Sequence, residues 1–413
     1  MKILHTADWH IGQLFHEYDR NWEHEQFLDW LVGMIRSESI DVLLVSGDVF
    51  DNSNPSAAAL KLFYTFLNRA TQANPSLQII ITAGNHDSAA RLESPKPLLE
   101  SSNIHIVGVI EKDVGGNIDF GKLTIPLKAG DGSVAGWCLA IPFLRMGDYP
   151  AIEGSEQPYS AGVARVYAEA YAYVSQRKEP GQWMIALGHL HTQDAAVGDM
   201  DRQERLIMGG IELVPASAFH DDLSYVALGH IHRAQRIGAR EHVRYSGSPL
   251  PMSFSERAYR HQVLVFELNG EGMEHLQQLE VPVAVPLMRI PAVHSHAAEV
   301  IGSLAQLPAI VDGSEVCPYL EVVVLADGPD PGLRHRIMEA LVGKAVRLAR
   351  IDVRYEGMVA ERNGVEPGSS NEREELRPVD VFSRTYQSKY GSPVPEGLMQ
   401  LFLAVAAGVT ETE

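Results

Sequence analysis

Apolar runs that break off into aspartate, asparagine or histidine constrain this chain more than any other feature. Asp8-Trp9-His10 closes the first run, Gly47-Asp48 follows residues 41–46, and Gly84-Asn85-His86-Asp87 follows residues 77–83. Gly188-His189 and Gly229-His230-Ile231-His232 repeat the arrangement downstream. Short branched runs of this kind read as buried parallel strands, and they alternate with amphipathic helical stretches over residues 22–35 and 57–67. The expected fold class is α/β in layers, with polar residues gathered where strands meet loops.

Carboxylate, imidazole and one amide oxygen are the donors that borderline divalent cations accept, and enough are present for two ions. Residues two apart on an extended strand project to the same side, so Asp8 and His10 are expected to reach one cation, as are His230 and His232. Asn85 can offer only its amide oxygen. The adjacent His86 then points elsewhere and is available as an acid or as a phosphate hydrogen-bond donor. Taken singly, Asp8 could be a helix cap and Gly84-Asn85-His86-Asp87 a turn. The ordered set with its strand context makes a dinuclear phosphoesterase centre the reading. His5, inside the first strand, is expected to be a core histidine. His191 alternates with His189 and competes with it for the ligand position.

These blocks, in this order, resemble the signature of the calcineurin-like metallophosphoesterases. Residues 2–12, 229–235 and 245–254 narrow the likeness to the nuclease subunits of bacterial SbcCD complexes. The resemblance implies one metal held by Asp8, His10 and His232, a second by Asn85, His189 and His230, and Asp48 bridging them. It puts the ligand directly after Gly188, leaving His191 to support a neighbour or face substrate. It implies His86 as the catalytic group that assists departure of the sugar oxygen, with Asp51 and Asp87 orienting His86 or a ligand. The implied ions are two divalent cations, expected to be manganese, which would acidify a bound water and neutralise phosphoryl charge.

The implied architecture is a four-layer β-sandwich flanked by helices. A small α+β capping domain and a C-terminal helical tail follow. Boundaries are expected at 1–281 for the nuclease domain, 282–360 for the capping domain, 361–377 for a Gly/Ser-rich linker and 378–413 for a helix-loop-helix tail. Two short amphipathic helices on a tether bury little alone, so a partner surface is expected there. The resemblance names that partner as the coiled-coil base of an SMC-type ATPase, SbcC. It also implies a homodimer within a heterotetramer, with contacts near residues 57–69 and 91–101, acting on double- and single-stranded DNA.

Charge pulls the other way. The 34 basic and 53 acidic residues leave a net of −19, whereas an isolated nucleic-acid binder usually carries a basic excess. Composition alone favours a small-molecule or protein substrate, so the ATPase partner would have to supply basic surface, with Arg145, Arg233 and Arg257 as local phosphate contacts. The two cysteines, Cys138 and Cys317, fit a reducing cytosol. No run approaches the roughly 18 apolar residues of a membrane span, so a cytoplasmic protein is expected. The leading expectation is an ATP-coupled exonuclease and single-strand endonuclease acting at DNA ends and hairpins. The alternative is a phosphomonoesterase or cyclic-nucleotide phosphodiesterase. A scaffold without turnover is disfavoured because all seven ligands and His86 are intact.

Overall fold

The computed structural model describes residues 1–196, 213–270, 272–310, 316–356, 382–383, 386, 390, 392–399 and 402. Two compact units are distinguished: Met1–Arg289 with Pro308–Glu321 and Gly343–Arg350, and Ile290–Leu307 with Val322–Val342 and Ile351–Glu413.

The first unit is built on two six-stranded sheets. One runs Gly272–Glu280, Gln262–Asn269, Lys2–Thr6, Val42–Ser46, Gln78–Thr82, Ile104–Val107 across its width, and its last four strands are parallel. The other runs Gln235–Ile237, Arg240–Tyr245, Tyr225–Gly229, Trp183–His189, Val134–Ala140, Thr124–Lys128, with its four inner strands parallel. Side chains alternate across a strand, and the two faces of the first sheet therefore serve different cores. Ile3, Val42, Leu44 and Ile80 join Cys138, Ile185, Leu187 and Tyr225 of the second sheet in one core between the sheets. Leu4, Leu43, Val45, Ile79 and Ile81 face a second core shared with helices. The layered sandwich implied by the resemblance is thus the observed fold.

Helices Asn21–Ser37 and Ala57–Ala73 form that outer layer. Phe27, Leu28, Leu31, Val32 and Ile35 recur at helical spacing and are buried. The second helix starts at Ser56, whose side chain accepts a hydrogen bond from the Ala59 N–H, an N-cap worth about 1 kcal/mol. Both helices extend beyond their expected spans.

The second unit contains helices Ala297–Ala305 and Leu333–Ala340, which pack together, and strands Leu287–His296, Tyr319–Ala326 and Arg347–Tyr355 run into it as a three-stranded sheet. The Phe382 and Phe402 rings stack at 4.2 Å. The expected linker at 361–377 and most of the expected tail helices lie outside the described residues. Cys138 and Cys317 are both buried thiols. Among the described residues no helix is long and apolar enough to cross a membrane.

Candidate metal centre

Every block singled out in the sequence lies at the C-terminal end of a parallel strand. Lys2–Thr6, Val42–Ser46 and Gln78–Thr82 lead into Asp8, Asp48 and Asn85, while Trp183–His189 and Tyr225–Gly229 deliver His189 and His230 from the other sheet. The centre therefore forms where the C-terminal edges of the two sheets meet.

Backbone hydrogen bonds weld the loops of the first sheet together. Asp8 N donates to Gly47 O at 3.1 Å, His10 N to Asp48 O at 3.0 Å and Ile11 N to Val49 O at 2.9 Å. Trp9 is buried in the helix-side core, edge-on to Phe27, Phe63 and Phe66, with its Nε1–H on Thr6 Oγ1 at 3.0 Å. That anchor holds the loop between Asp8 and His10. A Cβ on Gly84 would overlap the Asp48 carboxylate, and one on Gly229 would overlap Ser46 O, so these two positions admit only glycine without rearrangement.

The strand-based expectation about pairing needs correction. Asp8, His10, Asp48 and His230 have φ of 55°, 48°, 50° and 99°, in or near the left-handed region, so the extended two-residue rule does not apply to them. His230 Nδ1 lies 3.0 Å from Asn85 Oδ1, and its ring is 5.2 Å from that of His189. His232 instead neighbours His10, at 5.2 Å between rings. The two histidines of one motif diverge to different ends of the centre. Four strained backbones at one place are the mark of a functional site held by its surroundings.

Donor atoms of His10, Asp48 and His86 all lie within 4.8 Å of one another, and so do those of Asp48, His189 and His230. Asp48 belongs to both groups. Its Oδ2 is 3.1 Å from His189 Nε2 and 3.7 Å from His10 Nε2, while its Oδ1 accepts the His86 backbone N–H at 3.0 Å. His189 Nδ1–H donates to Ser46 O at 2.9 Å, which leaves Nε2 facing Asp48 and Asn85 Oδ1. Asp8 Oδ1 accepts the His230 backbone N–H at 2.8 Å.

The six carboxylate and imidazole residues Asp8, His10, Asp48, His189, His230 and His232 are 0–6% exposed. Burial pushes Asp8 up to about 6 even with His189 and His232 nearby. Burial also opposes the charge on Asp48, but His189, His10 and His86 overcome it and hold the carboxyl well below the usual carboxylate range. Burial lowers His189 while Asp48 and Asp8 raise it, with a net rise to about 9. Such a concentration of acids and imidazoles is stable only if cations, protons or metals, sit among them. Asp8 Oδ2 and both ring nitrogens of His10 are buried with no hydrogen-bond partner among the described residues. Buried donors of these types left without a partner fit a divalent cation.

The remaining expected residues surround this core. His86 Nδ1–H donates to the Asp51 backbone carbonyl at 2.8 Å, and the Asp51 carboxylate lies 3.5 Å from His10 Nδ1. The Asp87 carboxylate accepts from the backbone N–H groups of Gly84, Val49 and Phe50 at 2.9–3.1 Å. It braces two ligand loops against each other and leaves the His86 ring to Asp51. His191 is buried, with its ring 5.9 Å from His230. His5 is a core residue bonded to Tyr225 Oη and Ser46 Oγ. Arg145 Nη2 donates to the carbonyls of Asn85 and Asp87, each at 3.3 Å. Sequence reasoning missed Glu256, whose Oε1 lies 3.2 Å from His232 Nδ1 and which follows that histidine by 24 residues with no motif around it.

Comparison with known proteins agrees with this chemistry. A family model described as calcineurin-like phosphoesterase matches residues 1–234, and one described as type 5 capsule protein repressor C-terminal domain matches residues 283–390. The chain is 37% identical over 360 residues to the SbcD component of the nuclease SbcCD of Rhodobacter capsulatus, covering 86% of this chain and 87% of that protein. It is 35% identical over 294 residues to the component of the same name from Escherichia coli K12, covering 70% of each. The Bacillus subtilis counterpart is 29% identical over 420 residues and the full length of both. Among solved structures, a dimetal phosphatase from Danio rerio aligns with a TM-score of 0.39 and 11% identity, over 68% of this chain and 99% of that one.

Proposed function

The chain belongs to the calcineurin-like phosphoesterases and, within them, to the SbcD components of SbcCD nucleases, and is a metal-dependent nuclease subunit; we propose the following division of labour among its residues. Asp8, His10 and His232 hold one divalent cation, Asn85, His189 and His230 hold the other, and Asp48 bridges. The observation that carries this reading is the membership of Asp48 in both donor groups. The orphaned Asp8 Oδ2 and His10 nitrogens support it.

When bound, two such cations supply Lewis acidity to the phosphoryl oxygens and acidity to a coordinated water. His86 does the proton work on the other side of the bond. Its Nδ1 proton is committed to the Asp51 carbonyl, so Nε2 is the atom that donates to, or holds, the departing sugar oxygen. Asp51 and Asp87 keep the His86 ring and the ligand loops in place, and burial of the centre excludes bulk water. His191 supports His230. We take manganese as the metal, because imidazole and carboxylate oxygen together suit it.

The substrate is DNA, cut as double-stranded ends and as single strands, in a complex with a coiled-coil ATPase of the SbcC type. The relatives' shared name, which marks one component of a nuclease assembly, supports a complex. The partner would supply the basic surface that a chain of net charge −19 lacks. Residues 1–281 form the nuclease domain, 282–360 cap the DNA, 361–377 link, and 378–413 dock on the partner; the separate family matches at 1–234 and 283–390 support a division near residue 281. A homodimer of this chain within a heterotetramer, in the cytoplasm, completes the proposal. The phosphomonoesterase and cyclic-nucleotide alternatives are not favoured, since the matched relatives are nuclease components over most of their length.

The full-length chain with manganese, its ATPase partner and ATP should degrade linear duplex DNA, and chelation should abolish this. Turnover confined to small phosphomonoesters, with DNA untouched, would overturn the reading.

A further inference from the structure

In a chain with 53 acidic and 34 basic residues, a cavity among the described residues has no carboxylate in its wall. It measures about 250 Å³ and is lined by Arg233, Arg244, Arg260 and Tyr259, with glutamines including Gln235 and Gln262. From this cavity we infer a phosphate subsite: it holds a backbone phosphate of the DNA strand flanking the bond that is cut. The inference rests on the nuclease reading above and adds residues to it that no metal touches.

The cavity adjoins the metal centre. Arg233 is the residue after His232, and Tyr259 and Arg260 lie three and four residues after Glu256. His232 and Glu256 meet at 3.2 Å, so both walls of the cavity continue from one buried pair at the edge of the centre. Successive Cα atoms are only about 3.8 Å apart, which sets a neighbouring phosphate, not a distant one, within reach. The segment is also well pinned. Ser248 N donates to His232 O at 3.1 Å, and a Cβ at Gly247 would come within 2.7 Å of His232 O and of Ala234 N.

Its positive charge is available to a ligand. Arg233 is exposed and has its guanidinium 5.8 Å from the centre of the Tyr259 ring. Arg260 pairs with Glu280 at 3.6 Å, but the two side chains are 79% and 65% exposed, so the pair exchanges readily with a better anion. Arg244 is different. It is 8% exposed and bonded to Glu241 through both the backbone carbonyl and the carboxylate, and it serves as the wall behind the other two. Two guanidinium forks remain for a ligand, which is the geometry that phosphate oxygens accept.

The size fits a fragment rather than a whole molecule. Small-molecule sites usually span about 300–1,000 Å³, so this cavity suits one group of a longer ligand. A phosphate on the arginines, with the Tyr259 ring against the adjoining sugar or base, fits the walls of the cavity.

The test compares Arg233→Gln/Arg260→Gln in the full-length chain with wild type and with Arg165→Gln, an exposed helix arginine paired with Glu169. Each is loaded with manganese, assembled with its ATPase partner and ATP, and given a single-stranded oligonucleotide across a salt series. The double variant should raise KM about tenfold while kcat stays within about twofold, and the slope of log affinity against log salt should flatten by about 0.7 for the one lost phosphate. Arg165→Gln should match wild type. If wild type cuts the oligonucleotide and the double variant matches it, or if kcat falls while KM holds, or if Arg165→Gln shifts as much, the subsite is overturned and the nuclease reading stands. If wild type hydrolyses a small phosphomonoester and leaves the oligonucleotide intact, the nuclease reading and the subsite fall together.

Discussion

Glu256 Oε1 lies 3.2 Å from Nδ1 of His232, and the carboxylate is held there by a second bond, from Met252 N to Oε2 at 2.8 Å. Burial opposes the charge on Glu256, and His232 with the Met252 N–H bring the carboxyl below its usual range. The pair fixes the imidazole tautomer, with the proton on Nδ1 and Nε2 as the donor atom. Glu256→Gln should therefore weaken one metal of the two by about 10- to 100-fold, the range found when such outer partners are removed. Metal titration followed by calorimetry would show one site weakened and one retained. Equal affinity at both sites would count against the pair's role.

Asp87→Asn should cost stability as well as activity. The carboxylate serves three backbone N–H groups, from Gly84, Val49 and Phe50. An amide has one accepting oxygen, so at least one buried donor loses its partner, at about 1–3 kcal/mol. Urea unfolding of the metal-free protein should show a lower midpoint at unchanged slope, and turnover should fall because the Asp48 loop loses its brace. An unchanged midpoint would contradict this.

For His86→Ala the expected outcome is a split between binding and chemistry. Both metals should remain, while cleavage falls by about 10²- to 10⁴-fold, the usual contribution of a positioned acid. Metal content by elemental analysis alongside single-turnover cleavage checks it. Loss of a metal in this variant would move His86 into the ligand set that it adjoins with His10 and Asp48.

Two core histidines make the fold acid-labile. Burial holds His5 down at about 3 and His24 at about 4, so both are neutral in the folded protein at pH 5. In the unfolded chain they take up protons below the ordinary histidine value of 6.5. Stability is then complete above 6.5 and declines as pH falls toward the folded values. At pH 4.5 the two together cost on the order of 5 kcal/mol, at about 1.4 kcal/mol per unit each. Urea midpoints of the metal-free protein between pH 7 and 4.5 should fall accordingly, and His24→Gln should roughly halve the slope. A flat profile would mean that neither histidine is buried neutral.

Much of this was legible because the polar blocks follow strands without interruption. Residues 41–46 and 77–83 are apolar enough to be read as buried strands, and the sequence places Asp48 and Asn85 just after them. Apolar spacing over residues 22–35 and 57–67 marked two helices whose ends the structure extends to 21–37 and 57–73. Glu256 was invisible because a single glutamate in a loop carries no periodicity, and the partners of Asp87 were not legible because they include backbone groups 37 and 38 residues away.

What the sequence determined by itself was the set of ligand types, the strands that carry them and the layered fold, since these depend on local composition and on periods of two and 3.6. Which candidate donors lie beside one another was decided by tertiary structure. Asp8, His10, Asp48 and His230 leave their strands through positive φ, and that turn sends His230 toward Asn85 and His189 but His232 toward His10 and Glu256. Positive φ at a non-glycine residue is locally unfavourable, so it exists only where packing from elsewhere imposes it. Here that packing comes from Trp9 among the helix aromatics and from two sheets packed face to face, neither of which is encoded within the motifs themselves.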